Sequence, residues 1–551
     1  MTSNKNPAPG DMTDHGSAST RMKPVALLLL LIFPVLTVYF GCALRAASGP
    51  YWLSGNLDPS YAYLLNSLNI ANLRRPYFIG HPGTPVHVVG AVVIRVMNLG
   101  SDRAETTRKV LANPEHYITA INNVLVVFCG FCVLITGYIA MLATRGLPKA
   151  LLVQATPFVS TTMLTGLTGA RPEPLMIALA TLVVGVTLLT LKFDKRKHAL
   201  LYAIVFAVLI GAGLAAKVNF VPVTLVPLIV LPSWKSRLTF VVATAIAFAV
   251  AILPILEPTL VRETFEFMFN LATHTGRYGS GQAGFIDPSR YVSAAIKLVS
   301  DDVLFFIIMA IGLVVLALKS RFQSLGGAKR RILIAVTAAQ LLQLLMVAKH
   351  PHSRYLIPSL ALVGLNLVLL ADAFAEKLPE ALRYVPSLVI GLTIIGVQVW
   401  TSGNLFKEAR NDRQFQSEAY AAVNKQFPNV PIVTYYAASS PSYALEFGSG
   451  YSGNLFSAEL QKLYPKQFFY NPWTGEFSNF AGQVSVDQIR GTGNWFVLRG
   501  CSLSDPDFKV FLPPKPLPDN VSVEPVSGTD VDHPGLVDCD AAYKVTVKPA
   551  P

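Results

Sequence analysis

The sequence predicts a polytopic α-helical membrane protein of about eleven transmembrane helices, followed by a C-terminal α/β domain on the external side. Composition is the first reason: of 551 residues, 52% are hydrophobic and 14% charged, and the mean hydropathy is +0.46. Distribution is the second, because apolar runs of about 17–25 residues, long enough to cross a ~30 Å hydrocarbon core, recur between residues 24 and 401 and then stop. The third is the placement of Lys and Arg, which gather in alternate loops.

Taken in order, a cytoplasmic tail over residues 1–23 precedes a transmembrane domain over 24–401. Its spans fall near 24–43, 118–143, 150–167, 174–191, 199–215, 219–232, 238–256, 302–318, 331–347, 355–373 and 384–401. The tail with Lys5, Arg21 and Lys23, and the loops RGLPK, KFDKRK, PSWKSR, KSRFQSLGGAKRR and AEKLPEALR, are basic and therefore expected inside. PVHVVGAVVIRVMNL, residues 85–99, is apolar but short and carries His87 and Arg95. It reads as an interfacial helix, since a crossing there would put the later basic loops outside. The first run reads as a retained anchor, because it lacks a clean small-residue cleavage site.

Parity then places two long loops, 44–117 and 257–301, on the external side with the segment 402–551. In that segment FPNVPIVTYYAA and GTGNWFVLRG read as buried strands and EARNDRQFQSEAYAAVNKQF as an amphipathic helix. Of five cysteines, Cys129 and Cys132 sit mid-span in CGFC and read as packing. Cys501 and Cys539 lie where an oxidising compartment permits a disulfide. The net charge of +13 follows from topology rather than nucleic-acid binding, as no basic block is interleaved with aromatics.

The external loops hold the candidate chemistry. NLDPSYAY, residues 56–63, puts Asp58 before Pro59, where it either caps a short helix or stays ionised as a base for an acceptor hydroxyl. RRPYFIGHPGTP supplies Arg74, Arg75 and His81, the histidine in what is otherwise a plain turn. GARPEP brings Arg171 and Glu173 to a proline-initiated helix. Glu173 is either an ordinary acidic first turn or a second carboxylate that orients an acceptor or tunes the base. KHPHSRYLIP concentrates Lys349, His350, His352 and Arg354, with Tyr355 beside them, on the side where positive charge is disfavoured. An anionic ligand explains that placement, with Arg354 forking onto a phosphate. The competing His–x–His metal site lacks a recognisable third ligand. ATHTGRYGSGQAGFID, with Arg277 and Tyr278, reads as a glycine-rich cover or as a loop without a role.

The first loop with its aspartate and HPGTP, the ARPEP turn, the lysine of AAKVNF, the KHPHSRYLIP turn and the α/β tail together resemble bacterial members of the GT-C class of integral-membrane glycosyltransferases. That class includes protein O-mannosyltransferases and lipid A aminoarabinose transferases. The resemblance spans the whole chain as architecture, through short motifs. It implies an inverting transferase of the bacterial inner membrane, with a polyprenyl-phosphate-sugar donor and a lipid, glycan or protein acceptor. Carried onto this sequence, Asp58 is the base, Glu173 the second acidic residue, and Arg354 with Lys217 the phosphate grip. No cofactor is expected, since arginine and lysine suffice to neutralise a phosphate. This chain departs from the pattern in having Asp-Pro-Ser where many relatives have paired acids, and HPGTP in place of two prolines. The rival classes are a lipid-linked glycan polymerase or ligase, and a transporter or flippase. Against the latter stands the gathering of charge at one face, with no internal repeat.

Overall fold

Proline and hydropathy between them decide where the helices run. The computed structural model describes residues 24–547 apart from 81, 194–195, 274–287, 319–320, 323–324, 349–350, 491–493, 502–516, 518–520 and 527–540. Among the described residues eight helices are long and apolar enough to cross a membrane: Pro24–Ala47, Pro114–Thr144, Pro172–Lys192, Ala199–Ala216, Trp234–Ala251, Gly327–Val347, Ser353–Ala375 and Glu380–Gln426. A ninth arises if the pair Tyr291–Asp301 and Val303–Ala317, bent by 107°, counts as one span.

Two of the eleven expected spans are interrupted rather than continuous helices. Residues 150–167 form Leu147–Gln154, a 3-10 turn at Thr156–Phe158 and Thr161–Gly166, because Pro157 removes a donor and Ser160 caps a new start. Residues 219–232 form a 3-10 stretch, Val218–Thr224 with Pro222 inside it, and then Leu225–Val230. The Ile357–Ala375 helix is buried almost along its whole length at the centre of the bundle. Peripheral helices present apolar faces outward, as Trp234–Ala251 does with Leu238, Val241, Val242, Ile246 and Val250. A continuous exposed apolar face of this kind suits lipid.

The segment 85–99 is a helix, Thr84–Met97, of 14 residues, about 21 Å long and so shorter than a bilayer core. It follows Gly83, whose φ of 71° is open to glycine and where a Cβ would lie 2.7 Å from the Tyr63 hydroxyl oxygen. It lies along Leu57–Ala71, with Gly90 against Ser67 and Arg95 Nε donating to the Ala71 carbonyl at 2.8 Å.

The last span does not stop at residue 401. One helix, Val385–Gln426, runs 42 residues, so EARNDRQFQSE is its continuation rather than a separate element. Among the described residues the C-terminal domain follows as a seven-stranded sheet in the order β4-β3-β2-β1-β5-β7-β6. Its strands are β1 (Ile432–Tyr435), β2 (Phe468–Asn471), β3 (Glu476–Asn479), β4 (Gly482–Gln483), β5 (Trp495–Gly500), β6 (Val521–Pro525) and β7 (Ala541–Val547). The two expected strands are β1 and β5, which pair in parallel at the centre, while the remaining pairs apart from β1–β2 are antiparallel. Cys501 is disulfide-bonded, whereas Cys539 lies outside the described residues.

The domain docks on Leu57–Ala71 through the helix Pro441–Tyr451. Gly448 makes the approach possible, since a Cβ there would lie 2.8 Å from the Tyr61 carbonyl oxygen. Asn66 closes the joint. Its amide donates to the carbonyls of Ala62 at 2.8 Å and Tyr451 at 3.1 Å, and its oxygen accepts from the N–H groups of Tyr77 at 2.6 Å and Phe78 at 3.1 Å. Asn66→Ala should leave the Tyr451, Tyr77 and Phe78 backbone groups unsatisfied, at about 1–3 kcal/mol for each group left without a partner. Thermal melting should fall and limited proteolysis should release the C-terminal domain sooner; an unchanged digest would remove Asn66 from the joint.

Candidate functional site

Asp58 opens the polar recess. Its backbone is extended, φ −92° and ψ 126°, a break that separates it from the regular helix downstream. The Asp58–Pro59 peptide is cis. The carboxylate makes no hydrogen bond or ion pair among the described residues, so the helix-capping alternative is not what the structure shows. The side chain is exposed, yet protein crowds it from most directions. Burial raises its pKa, while the nearby cations Arg354, Lys217 and Arg171 pull the other way.

Those cations come from turns that end spans. Pro172 starts the helix holding Glu173, with Arg171 extended just before it. Lys217 follows Ala199–Ala216, also extended. Its Nζ lies 2.7 Å from Glu173 Oε1, and Arg171 Nε lies 3.8 Å from Glu173 Oε2. The ammonium also sits 4.9 Å from the centre of the Tyr355 ring. Glu173 and Lys217 are both buried. Lys217 thus commits one donor to Glu173, and Glu173 faces two cations.

Arg354 differs in being unpaired. It belongs to a 3-10 turn, Ser353–Leu356, held by Ser353 Oγ donating to Asp301 Oδ2 at 2.6 Å and by Arg354 N donating to His352 Nδ1 at 3.3 Å. Asp302, next to Asp301 at the 107° bend, accepts from Ser160 and from Thr162 Oγ1. The Arg354 guanidinium has no hydrogen bond or ion pair among the described residues, and its Nε is buried. A fork of donors beside an open recess is suited to a phosphate or carboxylate.

The recess has a volume of about 370 Å³, lined by Arg171, His352 and Arg354 on one side and by Asn56 and Ser60, which flank Asp58 in sequence, on another. Arg45 lines it too, donating to the Thr168 carbonyl at 3.3 Å and stacking 4.2 Å over Tyr51. The far wall is the long helix: Leu405, Glu408, Ala409, Asp412, Arg413 and Gln416 lie on one stripe at helical spacing.

Of the residues singled out in the sequence, Asp58, Glu173, Lys217, Arg171, Arg354, His352 and Tyr355 come together here. Arg74 and Arg75 do not. They follow the far end of a 15-residue helix, about 20 Å from Asp58, and Arg75 pairs with Glu257 at 3.3 Å. His81, Lys349, His350, Arg277 and Tyr278 lie outside the described residues, as does the tail 1–23. Arg45 and the Glu408–Arg413 stripe escaped the sequence reading. Arg45 carried the same signal as Arg354, a positive charge on the expected external side.

No family model matches the chain, and no curated protein matches it. Among solved structures the chain is similar to ArnT from Cupriavidus metallidurans in the apo state, with a TM-score of 0.47 and 12% identity over 81% of this chain and 93% of that one. It is also similar to ArnT from the same organism bound to undecaprenyl phosphate, with a TM-score of 0.44 and 11% identity over 94% and 97% of the two chains.

The buried pair makes a test of its own. Lys217→Met strands Glu173 beside Arg171 alone and should cost roughly 3–5 kcal/mol of stability. Adding Glu173→Gln should restore part of the loss in a thermal-melting cycle, because the buried carboxylate is then neutral and only the partly exposed Arg171 has lost its counterion. A double variant no more stable than Lys217→Met would show that the pair is not coupled.

Proposed function

We propose that the chain is an inverting glycosyltransferase, moving a sugar from a polyprenyl-phosphate carrier to an acceptor hydroxyl at the external face of the membrane. The observation that carries this reading is the juxtaposition of a carboxylate, Asp58, with a guanidinium, Arg354, that lines the recess, neither with a hydrogen bond or ion pair among the described residues. In a single displacement the acceptor oxygen attacks the anomeric carbon while the bond from that carbon to the phosphate oxygen breaks. Asp58 takes the hydroxyl proton, and the electron pair leaves with the polyprenyl phosphate. The leaving phosphate gains charge as the bond breaks, so a cation held beside it favours the transition state over the ground state.

Glu173 and Lys217 have a supporting part in this scheme. By neutralising one another they leave Arg354 and Arg171 as the net positive charge facing Asp58 and the phosphate. The external direction is supported by the basic loops, which are expected inside, and by the disulfide at Cys501, a bond typical of oxidising compartments. The donor enters from the lipid side and the acceptor meets it at the recess, where helix ends fix all the groups.

Asp58→Asn keeps the side chain's size and removes the base, so transfer from a polyprenyl-phosphate sugar should fall at least ~100-fold in a variant with unchanged melting temperature. Normal turnover would exclude Asp58 as the base. Arg354→Ala should weaken binding of the lipid donor by about 10- to 150-fold, the equivalent of roughly 1.5–3 kcal/mol for a charge-assisted contact, and Arg354→Lys should do less damage. Removing this cation also takes away a force that holds Asp58 ionised. The acidic limb of the kcat/KM profile should therefore move to higher pH in Arg354→Ala; donor affinity and limb both unchanged would detach Arg354 from the site.

A further inference from the structure

A second recess lies in the C-terminal domain, on the opposite side of Pro441–Tyr451 from the contact with Tyr61. Its volume is about 380 Å³, within the range of small-ligand sites, and aromatic side chains dominate its lining. Trp473 and Tyr436 form two walls at 88° to one another, their ring centres 5.1 Å apart. Tyr443, Phe447 and Tyr451 come from Pro441–Tyr451, which presents Glu446 between them. The carboxyl of Glu446 makes no hydrogen bond or ion pair among the described residues.

Three features identify the chemistry that fits. The walls offer flat aromatic faces, whose negative π-surfaces attract the electropositive C–H faces of a sugar ring. Among the described residues Glu446 is the only acidic group in the lining and no Lys or Arg lines the recess, which disfavours a phosphate or carboxylate ligand. Burial pushes Glu446 up to about 7, so near neutrality the group both donates and accepts hydrogen bonds, as a polyol requires, whereas a cationic guest requires the fully ionised form.

We propose that this recess binds a pyranose unit of a glycan, stacked on Trp473 and Tyr436 and hydrogen-bonded through Glu446, as the distal hold on the acceptor. Calling the glycan the acceptor rests on the transferase reading; the sugar binding itself does not. Position supports the link. The helix that carries Glu446 touches the Asp58 helix at Tyr61 and bonds to Asn66 through the Tyr451 carbonyl. Asn66 lies eight residues beyond Asp58, about 12 Å along the helix, so the domain that holds this recess is anchored on the element that carries Asp58.

The test is a printed glycan array probed with the full chain in detergent, followed by titration of the best glycan with tryptophan fluorescence as readout. Wild type should bind at least one glycan saturably. Trp473→Ala and Glu446→Ala should weaken that binding at least tenfold at matched melting temperature, and Trp473→Phe should recover part of it by restoring a stacking face. Absence of binding on the array, retention of affinity in both alanine variants, or saturation by choline with no glycan bound would each overturn the proposal. Arg354→Ala separates the two readings, because it should lose the lipid donor and keep the glycan. Loss of glycan binding in the pocket variants would uphold this site even if transfer itself were disproved.

Discussion

A carboxylate and an ammonium 2.7 Å apart and both buried, Glu173 and Lys217, are the interaction on which the recess depends. Neither charge is tolerable alone in so dry a place, because desolvation of an isolated ion costs far more than a fold can spare. Together they fix the start of one span against the end of another, and with them the direction of Arg171 and the floor under Tyr355. Arg354 and Asp58 then stand near a neutralised pair. Among the described residues neither has a direct partner, and the surroundings hold both: helix packing holds one, and the Ser353 contact to Asp301 holds the turn that carries the other.

Hydropathy made most of the helical layout legible, since a run of apolar residues long enough for a bilayer has few other fates. It did not show where proline interrupts a span. An average over residues 150–167 or 219–232 is as apolar as an unbroken span, but Pro157 and Pro222 interrupt the hydrogen-bond ladder there. The charged turns at Arg171, Lys217 and Arg354 were legible for a related reason, that polar groups between apolar runs are conspicuous. Adjacency in sequence misled at Arg74 and Arg75. These share a loop with Asp58 but are separated from it by the length of a helix.

What sequence could not supply is the partner of each face. EARNDRQFQSE shows its amphipathic pattern openly, yet nothing in the pattern says that Leu405, Glu408 and Asp412 face the Asp58 recess rather than the sheet. Likewise Trp473 and Tyr436 lie far apart in sequence and become neighbours only because β1 and β2 pair in parallel, which brings the ends of both strands to one side. Long-range pairing of this kind is set by the tertiary fold, and local propensity has no access to it.

The unbroken run from Val385 to Gln426 makes membrane and recess share one angular phase. Each residue turns the rod by about 100°, so adding or removing a single residue among the lipid-facing turns would swing the Leu405–Gln416 stripe a quarter-circle or more away from Arg171 and Arg354, with every side chain still present. A loop at residue 402 would absorb such a change; this rod transmits it whole. The length of the final span is therefore tied to the recess as well as to bilayer thickness, a constraint that hydropathy alone does not reveal.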